Sequence, residues 1–435
     1  MVVDGERLNR RIGELAVIGG NASGGVTRLA YSEADRQACL WIEEVMRAAG
    51  LEVHVDAAGN RVGRRAGREG GLPPIVMGSH IDSVAGGGRY DGPVGSLAAV
   101  EVAQSLGEQG VTTRHPLEVI IFQNEEYGHV GSRALAGDLS EADLRVVNGS
   151  GRTRSEGITF LGGDPSKLDS VRRHPGDVAA FLEVHIEQGE ILTSTGVDIG
   201  VVDGIAGVQR WKMEVQGRAN HAGATPMDRR QDALLAASRF VEAVNRVVTS
   251  RSGRQVGTVG AFQVFPGAPD IVPGRVELSL DIRDMDEDRI GAFFLELERE
   301  AGRIGRRTGT AFSFTRYHVH EPVETHLVIR EVFEEAAREL GLTSRRLLSG
   351  AGHDAQTIGK IAPVGLVFIP SVGGVSHSAE EYSRPEDVRN GAAVLLRSVL
   401  KLDAMTLTYA SPRPPAPPAR TRRRTRYRRR SRRGG

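Results

Sequence analysis

The chain has 435 residues, 40% of them hydrophobic, which suits two or three domains with a sizeable core and is too apolar for a disordered chain. The formal net charge of +1 hides an uneven distribution: the last 25 residues, "SPRPPAPPARTRRRTRYRRRSRRGG", hold 11 arginines and no acids, and without them 45 basic residues face 55 acidic ones, a net of −10. An acidic body argues against a specific nucleic-acid partner, and no run of about 18 apolar residues marks a membrane span.

The start, "MVVDGERLNRR", lacks the pattern of a secretory signal. The single cysteine, Cys39, lies in a helical pattern and reads as a small core residue in a reducing compartment, so a cytoplasmic location is expected. The segment 32–50 opens on a capping Ser32 and closes at Gly50, which predicts a helix. "LEVHVD" (51–56), "PIVMG" (74–78), "LEVIIFQ" (117–123) and "AAFLEVHIE" (179–187) read as strands, with a helix over 95–110. This alternation predicts an α/β sheet covered by helices.

From about residue 209 the order becomes strand, helix, strand, strand, helix, strand. One helix carries Leu234, Val241, Val244 and Val248 at helical spacing, and "GRVELSLDIRD" (274–284) alternates strictly. That order predicts a four-stranded sheet with two helices on one face. Residues 325–410 return to helix–strand alternation. The expected organisation is one domain made of 1–208 and 325–410, an inserted α+β domain at 209–324, and a disordered Pro/Arg-rich tail at 411–435.

"GSHIDSVAGGGRYDGPVG" (78–95) sets His80, Asp82 and Asp91 among six glycines directly after a strand. Glycine there lets backbone approach something closely. Three further strand ends carry similar chemistry: Glu125 and Glu126 in "IFQNEEYG", His185 in "FLEVHIEQG", and His377 beyond "VFI". Ligand sites of α/β sheets lie at such ends. Taken singly, such a histidine or acidic pair is more often a structural or solvated residue. Together they suit a divalent metal bound by His and carboxylate, and spacing alone leaves both readings open.

"GSHIDSVAGGGRYDGPVG", "NEEYGHVGSRALAG", "EVHIEQG", "GRANHAGATPMDRRQDA", "SGAGHDAQ" and "PSVGGVSHSAEEYS" resemble, in order, the signature segments of the hydantoinase/carbamoylase family. Its members are dinuclear-metal amidohydrolases that include N-carbamoyl-L-amino acid hydrolases, β-ureidopropionases and allantoate amidohydrolases. The resemblance runs from about residue 7 to 402. It implies a metallopeptidase-like catalytic domain with a mixed sheet between helices, and makes the inserted unit a dimerisation and lid domain. It implies two divalent ions per subunit (Zn, Mn, Co or Ni). His80 and His185 would hold one, Glu126 and His377 the other, and Asp91 would bridge them. Glu125 would be the general base, and Asp82 would hold the His80 ring by its other nitrogen.

The implied substrate is a small ureido or amide compound bearing a carboxylate. Arg283 would grip that carboxylate, and Gln188 would contact the ureido or acyl group. His221 would reach the site of a partner subunit and stabilise the oxyanion. Relatives commonly have Asn where this chain has Asp270, which is expected close to Arg283 and would repel a carboxylate there. The loop "YGHV" is also shorter than in many relatives. The leading expectation is hydrolysis of an N-carbamoyl-L-amino acid to the amino acid, ammonia and carbon dioxide. The alternatives are an allantoate amidohydrolase, an N-acyl amino acid or dipeptide hydrolase, and a metal-free binding protein. His185 argues against the peptidase alternative, since peptidase relatives often have an acidic ligand there.

Overall fold

Ile75–His80, Leu117–Phe122, Ala180–Ile186 and Val364–Ile369 are buried at every position in the computed structural model, which describes residues 1–407. Continuous burial is what parallel strands covered on both faces require. These four lie side by side in the order Leu117–Phe122, Ile75–His80, Ala180–Ile186, Val364–Ile369, all parallel. Their C-terminal ends therefore share one edge. Arg61–Arg65 and Glu52–Val55 extend the sheet antiparallel on one side, and Ile199–Ile205 adds antiparallel on the other. The result is a nine-stranded mixed sheet.

Side chains alternate between its faces. Ile75 and Met77 join a core with the helices Gly5–Val17, Glu33–Ala48, Pro93–Glu108, Leu327–Glu339 and Pro385–Asp403. Val76, Ile120 and Phe122 join a second core with Leu135 and Ile358 on the opposite face. Local signals set the helix ends: the Ser32 hydroxyl accepts from the Asp35 amide, and Pro93 opens Pro93–Glu108, where a missing N–H costs nothing.

The chain leaves Ile199–Ile205 and enters a second sheet at Gly207–Gln216. Gly207–Gln216 pairs with Arg275–Asp284 on one side and Ala311–His320 on the other. The sheet has five strands where four were expected, because one edge position is split. Val256–Thr258 and Phe262–Phe265 both pair with Arg275–Asp284, at different points along it. Trp211, Met213, Val215, Val276, Leu278, Leu280 and Ile282 pack against the helices Ala233–Thr249 and Glu287–Thr308 in a core of their own. Val241 lies outside it at 36% exposure; Phe240 takes its place in the buried stripe. The expected tail at 411–435 lies outside the described residues.

Candidate metal centre

The shared strand edge gathers the polar residues. His80 ends Ile75–His80, and His185 is the penultimate residue of Ala180–Ile186. Glu125 and Glu126 follow Leu117–Phe122 after a left-handed Asn124. His377 follows Val364–Ile369, itself left-handed at φ 54°. Asp91 arrives on the glycine-rich segment just before Pro93–Glu108. The glycines there permit close approach. At Gly92 (φ +81°) a Cβ would stand 2.5 Å from the His80 ring, and at Gly88 it would collide with the Glu381 carboxylate.

Asp91 is the hub. Its Oδ1 lies 3.1 Å from His185 Nε2 and 3.7 Å from His80 Nε2. Its Oδ2 lies 3.1 Å from His377 Nε2, which is 3.6 Å from Glu126 Oε2. Two groups of possible ligands result, His80–Asp91–His185 and Asp91–Glu126–His377, sharing Asp91. His80 Nδ1 faces the Asp82 carbonyl oxygen at 3.0 Å, and His185 Nδ1 faces that of Ile186 at 2.9 Å. A carbonyl only accepts, so each Nδ1 carries the proton and each Nε2 is left facing a buried carboxylate. That arrangement needs positive charge between the groups, which a divalent cation fits.

Electrostatics say the same. Burial disfavours charge on His80, yet Glu125, Asp82 and Asp91 hold its pKa well above the usual histidine value. Burial likewise opposes charge on His185, and Asp91 and Glu183 raise its pKa. Asp91 takes His377 up to about 9. Burial would raise Asp91, but the three imidazoles hold it well below the carboxylate range. Burial, then the Asp91 charge, lift Glu126 to about 7.

Asp82 departs from expectation. The strand ends at His80, so the two-residue alternation does not carry on to residue 82. Its own carbonyl meets the His80 ring, and its carboxylate stands 3.6 Å away. That carboxylate accepts instead from the Glu125 amide at 3.2 Å and the Glu126 amide at 3.3 Å, fixing the acidic turn. Glu125 Oε2 lies 3.7 Å from His80 Nε2, and burial holds its pKa well above the usual carboxylate value.

Several residues at the site carried no assigned role in the sequence. Glu381 accepts from the Tyr90 and Asp91 amides (2.9 and 3.1 Å) and from the Ser376 hydroxyl, so it braces Asp91. The buried His353, in "GHD", packs edge-on against His185 at 4.5 Å. The buried His129, in "YGHV", has Nε2 3.6 Å from Glu125 Oε1. Proximity to the acidic pair and to glycine were their only sequence signals.

A cavity of about 820 Å³ joins this edge to the open face of the second sheet. Arg283 lines it from that sheet: its Nε and Nη2 donate to Asp281 (2.9 and 3.1 Å) and its Nη1 to the Gly350 carbonyl (2.6 Å). Gln188 lines it too, donating to Asp91 Oδ2 at 2.7 Å, while its buried Oε1 has no partner among the described residues.

His221 and Asp270 are not among the lining residues. Both are exposed, on the small ribbon that pairs Asn220–His221 with Ile271–Val272, and the Ala222 amide donates to the Asp270 carbonyl. Asp270 therefore sits beside His221 and not beside Arg283, which corrects the expectation. The ribbon leads into the Arg275 end of Arg275–Asp284, and about 25 Å of strand separates that end from Arg283.

An α/β sheet that presents paired acidic and imidazole clusters at one edge, facing a second sheet across a cavity, suits a hydrolase scaffold with room for a metal site. The family profile described as peptidase family M20/M25/M40 matches residues 76–401. The chain is 40% identical to an N-carbamoyl-L-amino acid amidohydrolase of Geobacillus stearothermophilus, over 92% of this chain and 99% of that one. It is 39% identical to a ureidoglycolate hydrolase of Arabidopsis thaliana (92% and 87%) and 34% identical to an allantoate amidohydrolase of Bacillus subtilis (89% and 95%). The crystal structure of an amidase from Burkholderia multivorans, of the hydantoinase/carbamoylase family, superposes with a TM-score of 0.85 at 37% identity, covering 93% of this chain and 99% of that one. The chain belongs to peptidase family M20/M25/M40 and, within it, to the hydantoinase/carbamoylase group.

Proposed function

We propose that this protein hydrolyses the C–N bond of N-carbamoyl-L-amino acids or related ureido acids, releasing ammonia and carbon dioxide. The observation that carries it is a single buried carboxylate, Asp91, shared by two ligand groups, with Glu125 beside them and Arg283 across the cavity. His80 and His185 would hold one ion, Glu126 and His377 the other, with Asp91 between them. Zn, Mn, Co and Ni all suit these donors. Bound there, such ions supply positive charge that polarises the substrate carbonyl and makes water easier to deprotonate.

The remaining steps belong to the chain. Glu125 takes the proton from water and passes it to the leaving nitrogen. Its raised pKa suits a group that must hold that proton between the two steps. Asp82 keeps the acidic turn in place through the Glu125 and Glu126 amides. The unpartnered Gln188 Oε1 accepts from a ureido N–H. Arg283, pre-oriented by Asp281 and Gly350, forks onto the substrate carboxylate. An ammonia-release screen with added Mn or Zn over carbamoyl amino acids, 3-ureidopropionate, allantoate and acyl amino acids tests this reading. Release from a carbamoyl amino acid is expected. Turnover of acyl amino acids alone, or of nothing, would refute it.

His221 needs a second subunit to act. Its Nδ1 accepts from the Gly223 and Ala224 amides (3.0 and 3.2 Å), which leaves an Nε2–H donor exposed for an oxyanion. Val256, Phe262, Leu235 and Leu295 are exposed on the same sheet and its helices and supply apolar surface for a homodimer. Asp270, beside His221, would enter the same partner site. If so, His221→Ala and Arg283→Ala are each nearly inactive, and mixing them yields heterodimers with one intact site of two, hence up to about half activity per heterodimer. No recovery despite proven subunit exchange would place His221 outside the reaction.

Among the described residues no helix is long and apolar enough to cross a membrane. The free, buried Cys39 suits a reducing compartment, and we assign the protein to the cytoplasm.

A further inference from the structure

Ala311–His320 changes face partway along. Phe312 sits opposite Val215, Phe314 opposite Met213 and Arg316 opposite Trp211, matching the helix-covered face of Gly207–Gln216. Then the register shifts between Arg316 and His318. Tyr317 has no partner, and His318 falls opposite Arg210 and His320 opposite Val208. With unbroken alternation both histidines would face the helix-covered core. The extra residue turns them to the open face, as bulges beside active sites re-aim side chains.

That face now carries two rows across three strands. Asp281, Arg210 and His318 form one, and Arg283, Val208 and His320 the other. His318 and His320 stack at 4.7 Å, and His320 meets His129 edge-on at 4.8 Å. The pair lies in the wall of the cavity shared by Arg283 and Glu125. Arg210, Arg133 and Lys360 bear on the two rings. Burial, His320 and Arg210 push His318 down to about 3, and burial, Arg133 and Lys360 push His320 down to about 4. Both rings are neutral N–H donors at neutral pH. The facing carboxylates are engaged: Asp138 pairs with Lys360, Asp143 with Arg133 and Arg154, and Asp281 with Arg210 and Arg283. Glu321 also lines the cavity. The ring nitrogens of His318 have no hydrogen-bond partner among the described residues.

We propose that His318 and His320, delivered by the Tyr317 bulge, form a side-chain subsite that selects ureido acids carrying a second carboxylate, of the N-carbamoyl-L-glutamate type, over those with apolar side chains. This rests on the carbamoyl-hydrolase reading above. The imidazole N–H groups donate to the side-chain carboxylate, and Arg210, Arg133 and Lys360 complement its charge. Arg283 keeps the main carboxylate.

The test is the ratio of kcat/KM for N-carbamoyl-L-glutamate to that for N-carbamoyl-L-leucine. The ratio is expected above one in the native enzyme and to fall about tenfold or more in His318→Leu, as loss of a donor to a charged acceptor should produce. His318→Gln keeps an N–H donor and should retain most of the ratio, which separates donation from a structural role. Circular dichroism establishes that each variant is folded. A native preference for the leucine substrate, or an unchanged ratio in folded His318→Leu, would overturn the subsite while leaving the carbamoyl-hydrolase reading intact. No ammonia from either substrate, or from any other carbamoyl amino acid, would overturn both.

Discussion

Glu125→Gln is expected to keep its metal content and lose about 10²–10⁴-fold in turnover, the usual cost of removing a general base. The amide preserves the shape of the side chain, and the backbone amide of residue 125 still donates to Asp82. What would disappear is the proposed carrier of the proton from water to the leaving nitrogen. Glu126→Gln is the control. Glu126 stands 3.6 Å from His377 Nε2 in the second ligand group, so its loss should lower metal content first and turnover as a consequence. Elemental analysis beside ammonia release distinguishes the two variants. Near-normal turnover by Glu125→Gln would remove Glu125 from the role of base.

Asp91→Ala should be worse than the loss of a residue that only supports a ligand. Asp91 is common to both ligand groups and faces three imidazoles at 3.1 to 3.7 Å. Losing a residue that merely supports a ligand costs about 10–100-fold in metal affinity or activity, so losing the shared carboxylate should exceed about 100-fold. Both ions should leave together, as read by elemental analysis of the purified variant. Retention of one full equivalent of tightly held metal would show that Asp91 does not bridge.

The strands that build the site were legible because each is a short apolar run bounded by glycine, proline or polar residues. "PIVMG", "LEVIIFQ" and "AAFLEVHIE" became Ile75–His80, Leu117–Phe122 and Ala180–Ile186. The convergence of these polar residues was legible for a related reason, while their reading as metal ligands came from the family resemblance. Parallel strands end on one edge, so His80, Glu126 and His185 had to converge if the strands did. What escaped depends on long-range geometry. Asp82 looked like a partner for His80 because the extended spacing was carried past the strand end, and nothing local signals that its carboxylate turns to the Glu125 and Glu126 amides. Asp270 was placed beside Arg283 because the Asn that relatives carry there can donate to the substrate carboxylate that Arg283 was expected to grip. The pairing of Ile271 with His221 across 50 residues of sequence put it at the far end of the strand. The shift at Tyr317 is invisible in "FTRYHVH", because the pairing with Gly207–Gln216 decides which residue is extra. The split edge strand has a visible cause: Gly260 interrupts "VGTVGAFQVF" between Val256–Thr258 and Phe262–Phe265.

The most direct measurement is a metal titration of the stripped full-length protein, followed by ammonia release from an N-carbamoyl-L-amino acid. With two ligand groups sharing Asp91, activity should be absent without metal and rise with added Mn or Zn to a plateau at two ions per subunit. Ammonia release by the verified metal-free protein, or a plateau of full activity at one ion, would contradict the shared-carboxylate centre.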